Sequence, residues 1–391
     1  MTDLLVSDFY AFQDLLTDRE VESVLALRAF LEAEVRPIAD DYWARAEFPR
    51  HLARPLGELG MFGPMWEETR AFANSGVYRG WLALELARVD AGVATFVGVT
   101  SGLAMGSIGV GGSAEQRAAW LPRLGTGEIV GAFGLTEPLS GSDSARGLRT
   151  TARQTADGWV LDGAKRWIGN ATFADVTVVY AKDVADGQVK GFLVEAGTPG
   201  FTATKIEDKI SLRSVQNADI VLEDVLVPEE RRLQGINSFR DVATVLRLTR
   251  ADVAWQAVGI AIGAYEAAVR YAGERQQFGR PIAATQLVQD HLARCLGNIT
   301  ASIAMCVRVS QLSDQGRQRD EHSALAKAFA TARMRETVAW AREVLGGNGI
   351  VLEHGVARFF ADAEAIYSYE GTREMNSLIV GRAITGHAAF V

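Results

Sequence analysis

The sequence predicts an α+β protein built in the order helical domain, β-domain, helical bundle. Three observations lead there. Apolar residues recur at three- and four-residue spacing from Arg19 to about Leu124 and again from about Phe239. Between these stretches, from about Gly131 to Glu230, the pattern shifts to short β-rich runs broken by Gly, Asp and Asn. The length of 391 residues is enough for two or three domains, each with its own core.

The first helical region contains "REVESVLALRAFLEAEV" and "YRGWLALELARVD". The stretch Ala91 to Ala114 that follows carries no charge and is long enough to span a bilayer. It is rich in Gly, Ala, Ser and Thr and poor in Leu, Ile and Phe, so a buried helix and turn is expected instead. The runs "GWVLDGAKRWIG", "DVTVVYAKD", "VKGFLVEAG" and "ADIVLEDVLVP" read as a compact antiparallel β-domain. In the last region, "ADVAWQAVGIAIGAYEAAVRYAGERQQFG" is apolar on more than one face, the mark of a helix buried in a bundle core or a subunit interface. "SALAKAFATARMRETVAWAREVLGG" closes on a glycine stop.

A hydrophobic content of 48% with 23% charged residues describes a soluble globular chain. The formal net charge of -8 argues against nucleic-acid binding, which needs a basic surface. The two cysteines, Cys295 and Cys306, lie eleven positions apart in one helical segment, too far to bridge, and are expected as buried hydrophobes. Neither a His-Glu-x-x-His nor a Cys-x-x-Cys pattern occurs, and no metal site is predicted. The acidic start "MTDLLVSDFYAF" does not read as a secretory signal.

Four short motifs and one acid invite chemistry. "FGLTEPLSGSDS" offers backbone and hydroxyl donors to a flat or phosphorylated ligand, and serves equally as a polar loop. The tryptophan of "KRWIGN" can stack on a planar group or fill a core. Arg275 in "ERQQFGRP" can pair with a phosphate or end a helix, and "LGGNG" caps a helix or admits another backbone. In "YSYEGTREMN" the carboxylate Glu370 stands between an aromatic residue and a glycine.

Taken together and in this order, "LTEPLSGSD", "WIGN", "RQQFG", "LGGNG" and "YEGT" resemble the acyl-CoA dehydrogenase family over essentially the whole chain. Phrases such as "KRWIGNATFAD" and "SVQNADIVLEDVLVP" look like its glutaryl-CoA dehydrogenase branch and the plant peroxisomal short-chain acyl-CoA oxidase. The resemblance implies a helical domain over 1–128, a β-barrel domain over 129–235 and a four-helix bundle over 236–391. It implies FAD as cofactor and an acyl-CoA thioester as substrate. The acceptor would be an electron-transfer flavoprotein or O2, and the assembly a homotetramer, a dimer of dimers.

Carried over by motif, Phe133, Leu135 and Thr136 would line the flavin, Trp167 would pack on it, and Ser142 would lie near the flavin phosphate and the pantetheine. Gly169 belongs to the same wall. Arg275, Phe278, Gln286, Gly346 and Gly347 would hold the FAD of a neighbouring subunit, and Thr372 and Glu374 its diphosphate. Arg250 matches the arginine of the CoA-binding helix, and Gly371 leaves room for the thioester. Glu370 matches the catalytic base, which removes the α-proton while the β-hydrogen leaves as hydride to flavin N5. Some relatives carry the base just before that arginine; here the position is Thr249, which cannot serve.

Two departures qualify the resemblance. Gly169 stands where the family usually has Thr or Ser, so the resemblance implies that the hydroxyl bond to flavin N5 is either missing or made by backbone or water; the short-chain oxidase shares that glycine, which makes an oxidase the alternative. An acyl-carrier-protein thioester is a second alternative to CoA, because both present the same pantetheine. Ala94 replaces the arginine by which glutaryl-CoA dehydrogenases hold a distal carboxylate, in "ARVDAGVATFVGV" with no cation nearby. The C-terminal "GHAAFV" carries no peroxisomal address, and a cytoplasmic location is expected. A short, uncharged acyl chain is expected too, because a distal carboxylate would be buried unpaired. Glutaryl-CoA should therefore reduce the flavin far more slowly than butyryl-CoA; equal rates in a side-by-side assay would contradict that reading of Ala94.

Overall fold

The computed structural model describes residues 5–389. The first four residues of the acidic N-terminal stretch and the last two of "GHAAFV" lie outside the described residues. The N-terminal region comprises α1 (Asp18–Phe30), α2 (Arg36–Arg45), α3 (Ala53–Glu58), α4 (Gly76–Val89), α5 (Ala91–Val97), α6 (Met105–Gly111) and α7 (Ala114–Gly125). Thr17 and Glu20 start α1 with a reciprocal capping box, and Asp90 starts α5 by accepting from the Val93 N–H at 2.7 Å. Between α5 and α6 runs a wide π-helical turn, Gly98–Ala104, which keeps the uncharged stretch helical.

The middle region holds β1 (Gly131–Gly134), the short α8 (Ser144–Gly147), β2 (Thr151–Thr155), β3 (Gly158–Ile168), β4 (Val176–Asp183), β5 (Val189–Glu195), β6 (Phe201–Lys205) and β7 (Ala218–Val227). They form one seven-stranded sheet with β5 and β6 at its edges, an open half-barrel. The expected antiparallel domain is in fact mixed. β4 pairs antiparallel with β5 along one edge and parallel with both β1 and β2 along the other. Period-2 alternation is the same for a half-buried strand of either direction, so the sequence pattern could not reveal this.

The last region contains α9 (Phe239–Glu274), a small hairpin of β8 (Gln276–Gln277) and β9 (Arg280–Pro281), α10 (Gln286–Asp314), α11 (Asp320–Val344), α12 (Val356–Ser368) and α13 (Arg373–Thr385). Helix α9 is buried almost continuously from Val253 to Ala268 and packs on α4, α10 and α11. Trp81 of α4 and Trp255 of α9, both fully buried, meet with ring centroids 6.1 Å apart. α12 and α13 lie against α11 and meet at a corner, residues 369–372. Cys295 and Cys306 are free and buried on the inner side of α10, as expected, and burial pushes the Cys295 thiol up to about 12.

Two helical stretches, Ala91–Gly111 and Gln286–Asp314, are long and apolar enough to cross a membrane by length and composition. The first is mostly buried within the fold. The second was not singled out from the sequence, and its inner face, with Ile299 and Ile303, packs into the bundle.

A buried ionic knot on α12 fastens the three regions together. Arg358 donates from Nη1 to Asp90 Oδ2 (2.8 Å), from Nε to Asp40 Oδ1 (2.9 Å) and from Nη2 to the Val89 carbonyl (3.1 Å). One turn on, Asp362 Oδ1 accepts from Trp43 Nε1 (2.8 Å) and from the Leu212 N–H of the middle region (2.6 Å). Burial drives the Asp362 carboxyl up to about 7. Removing the cation would strand Asp90 uncompensated, so Arg358→Met should cost about 3–5 kcal/mol, read as a lowered denaturation midpoint.

Candidate active site

The corner between α12 and α13 carries Glu370 toward one stripe of α9. Thr249, Asp252 and Gln256 recur at helical spacing along that stripe. Thr249 Oγ1 donates to Glu370 Oε2 at 3.1 Å, and the Tyr369 hydroxyl donates to Gln256 Oε1 at 2.6 Å. Glu370 itself sits in the left-handed region, φ 55°, where a residue with a Cβ is unfavourable unless its surroundings enforce it. Gly371 follows at φ 87°, a conformation that suits glycine.

The enforcement comes from behind the corner. Lys327, fully buried on α11, donates from Nζ to the carbonyls of Tyr367 (2.9 Å) and Gly371 (2.7 Å). Asn376, fully buried on α13, donates from Nδ2 to the carbonyls of Gly371 (2.8 Å) and Thr372 (3.0 Å). Thr372 caps α13 by accepting from the Met375 N–H at 3.3 Å. Neither Lys327 nor Asn376 was singled out from the sequence. A signal existed for the first: in "ALAKAFA" a lysine interrupts an apolar helix face at core spacing.

The Glu370 carboxyl is raised above its ordinary 4.5, burial being the main cause. Part of its surface is accessible, yet protein surrounds the group, so desolvation outweighs the opposing pull of Arg250, the Thr249 bond and Lys327. Burial in turn lowers Lys327 to about 8. Arg250 stands within electrostatic reach of Glu370, and its Nε is a buried donor with no hydrogen-bond partner. That orphan donor fits an anionic ligand group. The Glu370 backbone N–H likewise makes no hydrogen bond among the described residues.

A second wall is formed by β1 and β3. The Arg166 N–H donates to the Thr136 carbonyl (2.9 Å), and Lys165 Nζ donates to the Leu135 carbonyl (3.3 Å) while pairing with Glu137 (2.8 Å). Glu137 also accepts from the N–H groups of Arg149 (2.7 Å) and Thr150 (2.9 Å), which folds the "LTEPLSGSD" loop onto β3. Phe133, half-buried, meets Tyr180 edge-on at 5.2 Å. Leu135 is buried, so a ligand meets its backbone rather than its side chain. Ser142 is exposed in the loop. A register shift in β3 and a φ of 66° turn Trp167 outward, leaving it 51% exposed with Arg166 over its ring. Gly169 faces the π-helical turn, where an added Cβ would stand 3.3 Å from Val99 Cγ2. Asn170, also missed from the sequence, ties this wall to that turn, donating from Nδ2 to the Gly131 carbonyl (3.2 Å) and Thr100 Oγ1 (3.4 Å).

The remaining predicted residues form a separate group. From Thr249 to Arg275 at its C-cap, α9 spans on the order of 39 Å, so Arg275 is not brought to Glu370. The Arg275 N–H bonds the Tyr271 carbonyl, and Asn348 Nδ2 bonds the Tyr271 hydroxyl at 2.9 Å, so Gly346 and Gly347 stand at the same far end. Phe278, in the β8–β9 hairpin, is 98% exposed, and Gln286 opens α10 nearby. Thr372 and Glu374 stay with the Glu370 corner, Glu374 exposed and paired with Arg373 at 2.9 Å. Ala94 of α5 is buried, and its carbonyl accepts from Gln256 Nε2 at 3.5 Å. Arg79 reaches Asp252 electrostatically, but is bonded to Asp314 (2.9 Å) and Asn74 (3.0 Å).

Comparison with known proteins identifies the family and the fold. Sequence models of the acyl-CoA dehydrogenase N-terminal, middle and C-terminal domains match residues 17–128, 132–225 and 239–385. The mitochondrial short-chain specific acyl-CoA dehydrogenase of Mus musculus is 34% identical, over 90% of this chain and 87% of its own length. A glutaryl-CoA dehydrogenase from Mycobacterium smegmatis, solved in complex with FADH2, superposes with a TM-score of 0.94 at 34% identity, covering 98% of this chain and 99% of that one. Butyryl-CoA dehydrogenase from Megasphaera elsdenii superposes with a TM-score of 0.90 at 32% identity, over 94% and 98% of the two chains. With three domains matched in order and the fold shared along nearly its whole length, this chain belongs to the acyl-CoA dehydrogenase family of FAD-dependent oxidoreductases.

Proposed function

We propose that the chain converts a short-chain, uncharged acyl-CoA thioester to the trans-2-enoyl-CoA, with Glu370 as the base that removes the α-proton. The observation that carries this reading is the Glu370 corner: a desolvated carboxylate of raised pKa, held in a left-handed conformation by a buried lysine. A carboxylate that is a stronger base than usual, fixed before its substrate, suits removal of a weakly acidic α-proton. The unbonded Glu370 N–H can donate to the thioester oxygen as negative charge builds there. Arg250, with its orphan Nε, is positioned to engage the CoA.

The residues present fit FAD. Phe133, the Leu135 backbone, Thr136, Ser142, Trp167, Gly169, Thr372 and Glu374 would hold it beside Glu370, and the exposed face of Trp167 gives a planar ring a surface. When bound, FAD supplies the acceptor for the β-hydrogen, taken as hydride. Arg275, Phe278, Gln286, Gly346 and Gly347, far from Glu370 and exposed in part, suit the cofactor of a neighbouring subunit; this supports a homotetramer. We keep the division into 1–128, 129–235 and 236–391, and a cytoplasmic setting, as part of this proposal. Electron-transfer flavoprotein is the acceptor we favour. The glycine at 169 favours O2 as the second reading, and rapid reoxidation of the reduced enzyme in air would decide for it.

Glu370→Gln should retain FAD and acyl-CoA binding while slowing anaerobic flavin bleaching by butyryl-CoA at least about 100-fold; bleaching near the wild-type rate would remove Glu370 from the role. A pH profile gives a second check. Glu370 works ionised, so the rate falls as pH drops through its raised pKa. The Lys327 charge holds that pKa down, so Lys327→Met should move the acid limb to higher pH, whereas Lys327→Arg should leave it close to wild type.

A further inference from the structure

Both ends of the α9 stripe are bonded to the corner, Thr249 to Glu370 and Gln256 to Tyr369, which places Asp252 between them on the same face. The π-helical turn covers this face through two glycines. A Cβ on Gly98 would meet Gln256 Nε2 at 3.0 Å, and one on Gly102 would stand 3.1 Å from Thr249 Cγ2 and 3.8 Å from Asp252 Oδ2. Asp252 thus lies between the stripe's two bonded ends, under the π-helical turn and half-buried. Its carboxylate makes no hydrogen bond or ion pair with any described residue, and the cation in reach, Arg79, is bonded to Asp314 and Asn74. Burial, reinforced by the charge of Glu370, lifts Asp252 to about 7 against the pull of Arg79. Its oxygens keep some accessible surface and so remain free to accept from a ligand that approaches along this face. The helix rise sets Asp252 about 4.5 Å beyond Thr249, the reach of a substituent at the γ-carbon of a chain whose α-carbon lies at Glu370.

We propose that Asp252 selects an acyl thioester carrying a hydroxyl near its γ-carbon, which donates a hydrogen bond to the Asp252 carboxylate. A carboxylate tail would be repelled by Asp252 and Glu370 together. A cationic tail would stabilise ionised Glu370 and weaken it as a base. A neutral donor avoids both penalties. The inference rests on the dehydrogenase reading above and narrows its substrate class.

The test compares 4-hydroxybutyryl-CoA with pentanoyl-CoA, which carries a methyl in place of the hydroxyl, and with 4-aminobutyryl-CoA and glutaryl-CoA. Anaerobic flavin bleaching of the FAD-loaded enzyme gives kcat/KM, and calorimetric titration of the Glu370→Gln holoenzyme gives Kd without turnover. The hydroxyacyl thioester should lead pentanoyl-CoA by about 10-fold or more in both measures. Asp252→Leu should reverse that order, while Asp252→Asn, whose amide oxygen still accepts, should keep most of it; the two variants together separate lost recognition from lost folding. Parity with pentanoyl-CoA, a preference for the amine, or a preference that survives Asp252→Leu would overturn the proposal while leaving the dehydrogenase reading intact. If no thioester bleaches the flavin or binds, the dehydrogenase reading falls and this inference with it.

Discussion

A buried lysine bonded to two backbone carbonyls is the constraint on which the site depends. Nothing in the local sequence of the corner compels Glu370 to adopt a left-handed conformation; glycine or asparagine would do so more readily. The Lys327 ammonium favours that conformation, because the carbonyls of Tyr367 and Gly371 accept its hydrogen bonds where its own side chain is closed to solvent. The same charge opposes the desolvation of Glu370. One side chain therefore fixes where the carboxylate points and limits how far its acidity drifts, and Asn376 secures the outgoing strand of the corner on the other side.

That corner is useful only if the opposite wall keeps its distance. The Arg358 and Asp362 knot anchors α12 to both the N-terminal helices and the middle region, so the helix that leads into Glu370 cannot slide against the sheet. Asn170 does the equivalent for the wall, bonding the sheet and the π-helical turn at one point. Both devices are buried polar side chains that satisfy backbone groups across domain boundaries, which is expensive if misaligned and stiff when aligned.

The sequence was most informative where chemistry repeats in short words. The helical, β and helical order follows from periodicity, and "YEGT" marks Glu370 as its own acid. Direction within the sheet was not legible, since strand alternation is blind to it. The supporting residues were harder still. The apolar run around Lys327 signals that it is buried, but not what it serves, because the carbonyls it bonds lie forty or more positions away. Asp252 reads as a solvent-facing acid until α9 is seen to turn that side toward the cleft. Arg275, Phe278, Gln286, Gly346 and Gly347 carry motif signals as clear as that of Glu370, yet one chain places them at the far end of α9. Motif strength says nothing about where in the fold a residue comes to lie.

The clearance at Gly102 ties two properties that are usually separable. Glycine is already the smallest residue, so any substitution there can only narrow the cleft. The first atom an added methyl meets is Thr249 Cγ2, and Thr249 carries the hydrogen bond to Glu370. A side chain added at that position would therefore press on the partner of Glu370, whereas a change at residue 252 would reach Glu370 through charge. The same carboxylate is thus reached by two routes, one steric through residue 102 and one electrostatic through residue 252.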